Sequence, residues 1–279
     1  MKLDDIHLRD PFILCDNGKY YLYGTRGSEC VGKYTGMDVY VSDDLKTWSE
    51  PEVIFTPPEG FWGTLDAWAP EVHKYNGKYY CFVSFKSETQ RRGTHILVSD
   101  SPKGPFYPNS EKPITPREWA CLDGTLYVDK NNTPYMVFCH EWEQIRIGEI
   151  CAEKMTPDLK ETAGEPFVLF KADEPWWADG LDMPIGRAYV TDGPFMRRMP
   201  DGKLMMMWSS FSKGNYVEAI AYSDNGEIDG KWYHDDKLLF EKDGGHGMLF
   251  KTNEDKLMFV MHSPNITPDE RPKITPIDL

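Results

Sequence analysis

The chain has 279 residues, 14% of them aromatic, and a formal net charge of −14 at pH 7. That length holds one large domain or two ordinary ones, and so acidic a surface repels phosphate backbones, which sets nucleic acid aside as a partner. A neutral ligand such as a glycan meets no such barrier, and the supply of Trp, Tyr and Phe favours a β-rich protein with planar or carbohydrate-like ligands, most rings serving as core.

Asp4 and Asp5 stand where a signal peptide would have its apolar core, so the expectation is a leaderless, cytoplasmic chain, with a secreted or periplasmic form trimmed of its leader left open. No apolar run approaches the ~18 residues of a membrane-spanning helix. The first apolar run opens with Leu8-Arg9-Asp10-Pro11-Phe12-Ile13. It is followed by the turn Asp16-Asn17-Gly18-Lys19, a second run at 20–23, a third at 37–42 and a closing segment at 43–48. Asn-Gly between two apolar runs is the strongest short hairpin signal.

The same sequence of events begins again at Ala69-Pro70-Glu71-Val72, with its turn at Asn76-Gly77-Lys78 and a third run at 94–100. It returns at Asp123-Gly124-Thr125-Leu126, Asp192-Gly193-Pro194-Phe195 and His246-Gly247-Met248-Leu249. The lead positions 10, 69, 123, 192 and 246 lie 59, 54, 69 and 54 residues apart. A Trp-, Asp- and Pro-rich stretch at 171–187 lengthens the third interval and reads as a functional loop. Six cysteines show no metal-ligand spacing, and Cys81 and Cys139 sit inside apolar runs, where a reduced Cys acts as a small core residue. Five units of four strands predict an all-β, five-bladed β-propeller with four-stranded antiparallel blades, one domain over 1–279. Two β-sandwich domains are the alternative, but they leave the recurring leads unexplained.

In a propeller the innermost strands ring one end of a central tunnel. Asp10, Ala69, Asp123, Asp192 and His246 would then surround one pocket. A single Asp-Pro or Asp-Gly is an ordinary turn former; three at one repeat position point to chemistry. Their mutual repulsion raises at least one pKa, which a general acid needs. One protonated and one ionised carboxyl are the equipment of glycoside hydrolysis.

The motifs Arg9-Asp10-Pro11, Trp68-Ala69-Pro70-Glu71, Leu122-Asp123-Gly124, Asp192-Gly193-Pro194 and Gly244-Gly245-His246-Gly247 stand in an order and spacing that resembles glycoside hydrolase family 43. With them goes the segment Tyr40-Val41-Ser42-Asp43-Asp44-Leu45-Lys46-Thr47-Trp48. The family consists of five-bladed propellers that cleave furanosyl and xylosyl linkages with inversion. The resemblance implies Asp10 as the base that activates water, Asp123 as the carboxylate that tunes the acid, and Asp192 as the acid. The family usually has Glu-Gly-Pro at the last of these. One methylene less retracts the carboxyl by roughly 1.5 Å, within the tolerance of an inverting pair about 6.5–9.5 Å apart. Glu141 is a reserve acid.

The resemblance further implies that His246 sits at a central cation, often calcium, through bound water. Hard cations prefer oxygen, so few direct protein bonds to the ion are expected. Trp68 is the expected sugar-facing wall and Ala69 leaves room beside it. His140, Glu141, Trp142 and Arg271 are further substrate contacts, and Trp62, Trp176 and Trp177 further stacking candidates. The expected activity is exo-acting release of terminal furanosyl or pentosyl units from an oligosaccharide or polysaccharide side chain, by a monomer or weak oligomer. α-L-Arabinofuranosidase comes first, β-xylosidase or galactofuranosidase next. The alternatives are a catalytically silent sugar-binding propeller and a fructan-cleaving or phosphorylase relative. The fructan enzymes need an Asn-Asp-Pro nucleophile motif near the start that this sequence lacks.

Overall fold

The structure is a computed structural model that describes residues 1–184 and 186–279. Alternating apolar runs closed by tight turns build antiparallel sheets in chain order, each starting at the axis and working outwards. Blade one comprises Leu8–Asp16, Lys19–Arg26, Met37–Ser42 and Glu52–Phe55. Blade two comprises Leu65–Tyr75, Lys78–Lys86, Gly93–Ser99 and Tyr107–Pro108. Cys121–Val128, Pro134–His140, Glu149–Lys154 and Phe167–Lys171 form blade three. Asp192–Arg198, Leu204–Ser212, Asn215–Ser223 and Trp232–His234 form blade four. This is the five-bladed propeller the repeats predict, with one difference: the fifth sheet has three strands among the described residues, Gly245–Lys251, Leu257–Ser263 and Arg271–Pro276. A small hairpin, Leu181–Met183 with Gly186–Ala188, occupies part of the long interval before blade four.

The turns obey their chemistry. Asn17 and Gly18 have φ 49° and 77°, Asn76 and Gly77 φ 47° and 79°, the pair of positive values that a type I′ hairpin demands and Asn-Gly supplies. Between blades lie apolar layers that include Trp48, Phe85, Phe138, Met207 and Trp208, all almost without exposure. All six cysteines are free, and Cys81 and Cys139 are core residues. No helix among the described residues is long and apolar enough to cross a membrane.

Every inner strand carries the same irregularity near its start. The pairing register slips between Arg9 and Phe12, between Trp68 and Glu71, between Asp192 and Phe195, and between Gly245 and Met248, and the inner strand of blade three slips at the matching place. A bulge of this kind needs one residue in the left-handed region. Those residues are Asp10 (φ 52°), Ala69 (48°), Asp123 (54°), Gly193 (54°) and His246 (50°). The structural equivalent of Asp10 in blade four is therefore Gly193, not Asp192, and the lead position of that repeat is corrected by one residue. Asp192 pairs with Ser209 as Arg9 pairs with Thr25, Trp68 with Ser84 and Gly245 with His262, so it belongs to the ring of residues preceding the bulge. The cause is steric. A Cβ on Gly193 would lie 2.7 Å from the His246 ring, so only glycine leaves the histidine room there.

The bulges also join the blades. The N–H of four of the five bulge residues turns towards the second strand of the preceding blade. Ala69 N–H donates to Thr25 Oγ1 at 2.8 Å, Asp123 N–H to Ser84 Oγ at 2.9 Å and His246 N–H to Ser209 Oγ at 2.7 Å. Asp10 N–H donates to His262 Nδ1 at 3.2 Å and closes the ring from blade five to blade one. Cys139 occupies the corresponding place in blade three, and Gly193 N–H donates instead to Asp123 Oδ2 at 3.0 Å. Left-handed non-glycine residues cost roughly 1–2 kcal/mol each; the interblade hydrogen bonds offset part of that cost and fix the backbone under the site.

Candidate active site

At the end of the tunnel where the inner strands begin is a cavity of about 280 Å³, walled by Arg9, Asp10, Trp68, Asp123, Asp192 and His246 among others. The bulge places these in two tiers. Asp10, Asp123 and His246 are bulge residues; Arg9, Trp68 and Asp192 precede one.

Asp10 Oδ2 accepts from Thr25 Oγ1 at 2.7 Å, and Asp10 Oδ1 lies 3.2 Å from His246 Nδ1. Burial disfavours its charge, but His246 and Arg9 beside it prevail and hold the carboxyl well below the usual carboxylate range. Asp10 is ionised. His262 is 3.5 Å from Asp10 Oδ1, yet burial lowers its pKa to about 4; it stays neutral and accepts the Asp10 N–H at Nδ1. His246 behaves oppositely. Burial works against its charge, but Asp10 and Asp123 raise it to about 10, so an imidazolium lies between two carboxylates, 3.8 Å from Asp123 Oδ2.

Asp123 is raised to about 6, chiefly by burial, with the Asp10 charge adding to it. Asp192 goes further, to about 7: burial dominates and the Asp123 charge adds. Tyr216 donates its hydroxyl to Asp192 Oδ2 at 3.0 Å. Three carboxyls in one cavity thus span ionised to half-protonated at neutral pH, the separation acid–base chemistry requires.

Trp68 lines the cavity, and Arg92 lies over its ring with the guanidinium carbon 3.6 Å from the ring centroid. Arg92 is buried and bound to Asp66 at 3.2 Å, and Trp68 Nε1 donates to the Cys30 carbonyl. The indole is locked before any ligand arrives. Arg9 is likewise fixed by Glu270 and by Asn265 Oδ1 at 2.7 Å.

The other expected contacts lie elsewhere. Ala69 is buried and serves through its N–H rather than as a wall. His140 stacks on Trp119 with centroids 4.2 Å apart and contacts Gln144 Oε1 at 3.2 Å. Trp142 begins the one-turn helix Trp142–Ile145. Glu141 is buried behind the wall, 3.5 Å from Arg92 Nε, with Oε2 unpartnered, and burial raises it to about 7. Arg271 binds the Asp4 carbonyl at 3.0 Å and His7 at 2.8 Å, holding the N-terminal segment to blade five. Trp62 donates to His95 at 3.1 Å, and Trp177 is buried against Trp208. Arg9 and Tyr216 line the site without having been singled out from the sequence. Arg9 had a signal, its place before Asp10 in a repeated motif; Tyr216 had none, since it reaches Asp192 from the third strand of blade four.

Residues 5–277 match Glycosyl hydrolases family 43. The chain belongs to that family. It has the family's five-bladed propeller. A crystal structure of an endo-arabinase from Bacteroides thetaiotaomicron VPI-5482 is 44% identical, covers 100% of this chain and 97% of that one, and superposes with a TM-score of 0.94. An extracellular endo-α-(1→5)-L-arabinanase of Bacillus subtilis (strain 168) is 28% identical over 162 residues, 54% of this chain and 48% of that protein. A xylosidase/arabinosidase of Bacteroides ovatus is 26% identical over 209 residues, 64% of this chain and 63% of that protein. The aligned part thus spans about half to under two thirds of these curated relatives.

Thr25 is the test of how the family-43 site is held, because one hydroxyl donates to Asp10 and accepts from Ala69 N–H. Thr25→Val keeps the shape and removes both bonds. The buried Ala69 N–H then has no partner, which costs about 1–3 kcal/mol. Thermal unfolding should register that loss and kcat should fall about tenfold as the Asp10 carboxylate loses its orientation; wild-type kcat in Thr25→Val would show that Asp10 is positioned without it.

Proposed function

We propose that this hydrolase cleaves α-L-arabinofuranosyl linkages in arabinan-type polysaccharide with inversion, with Asp10 as base and Asp192 as acid. The observation that carries the reading is the divergence of two carboxyls in one cavity, Asp10 held ionised and Asp192 raised to about 7. Asp10 takes a proton from water as the water oxygen bonds to the anomeric carbon. The bond to the leaving oxygen breaks, and the Asp192 proton passes to that oxygen. The Tyr216 hydrogen bond occupies Asp192 Oδ2 and leaves Oδ1 to carry the proton. Asp123 supports the acid by its negative charge, and Arg9 and the His246 imidazolium compensate the charge on Asp10.

Likeness to two arabinanases supports the sugar. Exo action on terminal units is the expectation from the sequence; the 44% likeness to an endo-arabinase over the whole chain supports cleavage within chains, and that is the reading adopted. Incubation with linear arabinan followed by proton NMR and chromatography tests both points. The first-formed sugar should have the anomeric configuration opposite to the linkage cut, and early products should be mixed oligosaccharides. Retained configuration would sink the mechanism, and arabinose as sole early product would restore terminal action. A silent sugar-binding propeller is favoured by one observation, Asp192 in place of the usual Glu; sugar binding with no turnover on any furanoside or xyloside would select it.

A hydrated divalent cation, calcium first, belongs to the same proposal. His246 Nε2 is buried without a partner, the atom a metal-bound water would meet, whereas no three His, Cys, Asp or Glu side chains among the described residues converge to bind an ion directly. Such an ion would supply positive charge beneath the carboxylates. With such an ion bound, His246 Nε2 would be unprotonated, and the compensation of Asp10 and Asp123 that the imidazolium supplies would come from the ion instead. Dialysis against EDTA should lower activity and Tm together, with calcium restoring both; unchanged values after chelation would remove the ion from the mechanism.

A further inference from the structure

A second and larger cavity, about 580 Å³, opens on the same face beside blade four. Its walls include Trp176, Trp177, Asp179, Lys213, Asp236 and Glu241. Trp176 is 73% exposed, an anomaly for a residue that usually gains by burying its rings. Trp177, its neighbour in the wall, is 4% exposed, and its indole N–H has no partner. The loop that carries Trp176 is fixed in advance. Asp179 N–H donates to the Phe211 carbonyl at 2.8 Å and Asp179 Oδ2 accepts from Lys213 N–H at 2.6 Å, which pins the loop bearing both tryptophans to the hairpin tip of blade four.

That hairpin is also part of the catalytic pocket. Ser209, on its first strand, pairs with Asp192, and Tyr216, on its second, donates to the Asp192 carboxyl. Ser212, in the wall of the second cavity, is three residues along that strand from Ser209, on the order of 10 Å at strand rise. An oligosaccharide of a few units bridges such a gap.

The lining chemistry selects the ligand. Asp179, Asp236 and Glu241 offer acceptors, Lys213 and Lys237 offer donors, and the signs nearly cancel. A phosphorylated ligand would meet three carboxylates and an ammonium ligand two lysines. An uncharged polyhydroxylated chain suits mixed donors and acceptors beside an open indole face, because its hydroxyls pair with the former and its C–H faces pack on the latter. We propose that this cavity is a distal binding site for the polysaccharide chain whose linkage lies in the central pocket, with Trp176 as its stacking platform. The inference rests on the arabinan reading above and extends it to how far along the chain the enzyme holds its substrate.

The experiment compares wild type and Trp176→Ala on linear arabinan and on 4-nitrophenyl α-L-arabinofuranoside. Loss of one stacking contact should raise KM for arabinan about threefold to tenfold, leave kcat on arabinan unchanged, and leave kcat/KM on the small glycoside unchanged. Trp176→Phe should recover most of the affinity. An unchanged KM for arabinan, or equal losses on both substrates, would overturn the distal site. If wild type hydrolyses neither substrate, the sugar assignment fails instead, and affinity electrophoresis through gels containing arabinan, xylan or galactan reads the cavity directly. Retardation of wild type that is lost in Trp176→Ala supports the site; equal mobility of the two proteins in every gel overturns it.

Discussion

Asp10→Asn is expected to lower kcat on arabinan by about 10²–10⁴-fold, the range of general-base catalysis. The substitution is nearly isosteric, and an Asn oxygen still accepts from Thr25 Oγ1, so the local geometry survives while the proton acceptor is lost. Stability carries a second signature. Asp10 is held below the usual carboxylate range in the folded protein, so its charge contributes stability above its unfolded pKa, near 3.9, and that contribution disappears as pH falls towards the folded value. Asp10→Asn should therefore be less stable than wild type at pH 7, and the difference should narrow below about pH 4. Azide separates the base role from general damage. In Asp10→Gly an azide ion fits where the water was and needs no deprotonation, so it should restore turnover and yield a glycosyl azide of inverted configuration. Full wild-type kcat in Asp10→Asn, or absence of azide rescue with intact sugar binding, would take the base role from Asp10.

The repeat was legible because its signals are local. Asn-Gly turns, period-two strands and the position of Pro11 and Pro70 each report on a few neighbouring residues, and together they count five blades. The three-stranded fifth sheet was less legible, since strand 271–276 has no distinctive successor before the chain ends at Leu279. The one-residue error in blade four has a plain physical source. Matching carboxylates to carboxylates put Asp192 level with Asp10, whereas matching Pro11, Pro70 and Pro194 puts Gly193 there, as the backbone does. Backbone conformation, not side-chain chemistry, defines the repeat. The consequence is geometric: Asp10 and Asp192 differ by one tier, so they line the cavity from different backbone positions.

Residues that act across strands left no trace in the sequence. Thr25, Ser84, Ser209 and His262 hold the site through interblade hydrogen bonds, and each looks like an ordinary strand residue until the blades are assembled. Glu218 is the extreme case. It is fully buried, accepts from Ser209 Oγ at 2.8 Å and Gly247 N–H at 2.9 Å, and is raised to about 8 by burial. A run such as Glu218-Ala219-Ile220-Ala221 gives no hint that its carboxyl holds the backbone beside His246.

Asp192→Ala is expected to divide substrates by their leaving groups. Arabinan linkages depart as poorly stabilised alkoxides and need the proton, so kcat should fall about 10²–10⁴-fold. A 2,4-dinitrophenyl arabinofuranoside departs as a stabilised phenolate and should lose little. The pH profile supplies the sign. As the proposed acid Asp192 would act protonated, and it is raised to about 7, so wild-type activity on arabinan should be full below that pH and decline tenfold per unit above it. In Asp192→Ala that alkaline limb should vanish from the dinitrophenyl reaction. Because the Asp123 charge is part of what raises Asp192, Asp123→Asn should move the limb to lower pH rather than abolish it, which distinguishes a carboxylate that tunes the acid from the acid itself. Equal losses on both leaving groups, with the alkaline limb intact in Asp192→Ala, would pass the acid role to another group. Glu141 is the next to test, being raised to about 7 with one carboxyl oxygen unpartnered. Asp192→Glu completes the argument. It restores the family's usual residue on a backbone one tier from the base, and a carboxyl extended by about 1.5 Å should keep the alkaline limb and change its position, since the longer side chain no longer meets Tyr216 and Asp123 at the same distances.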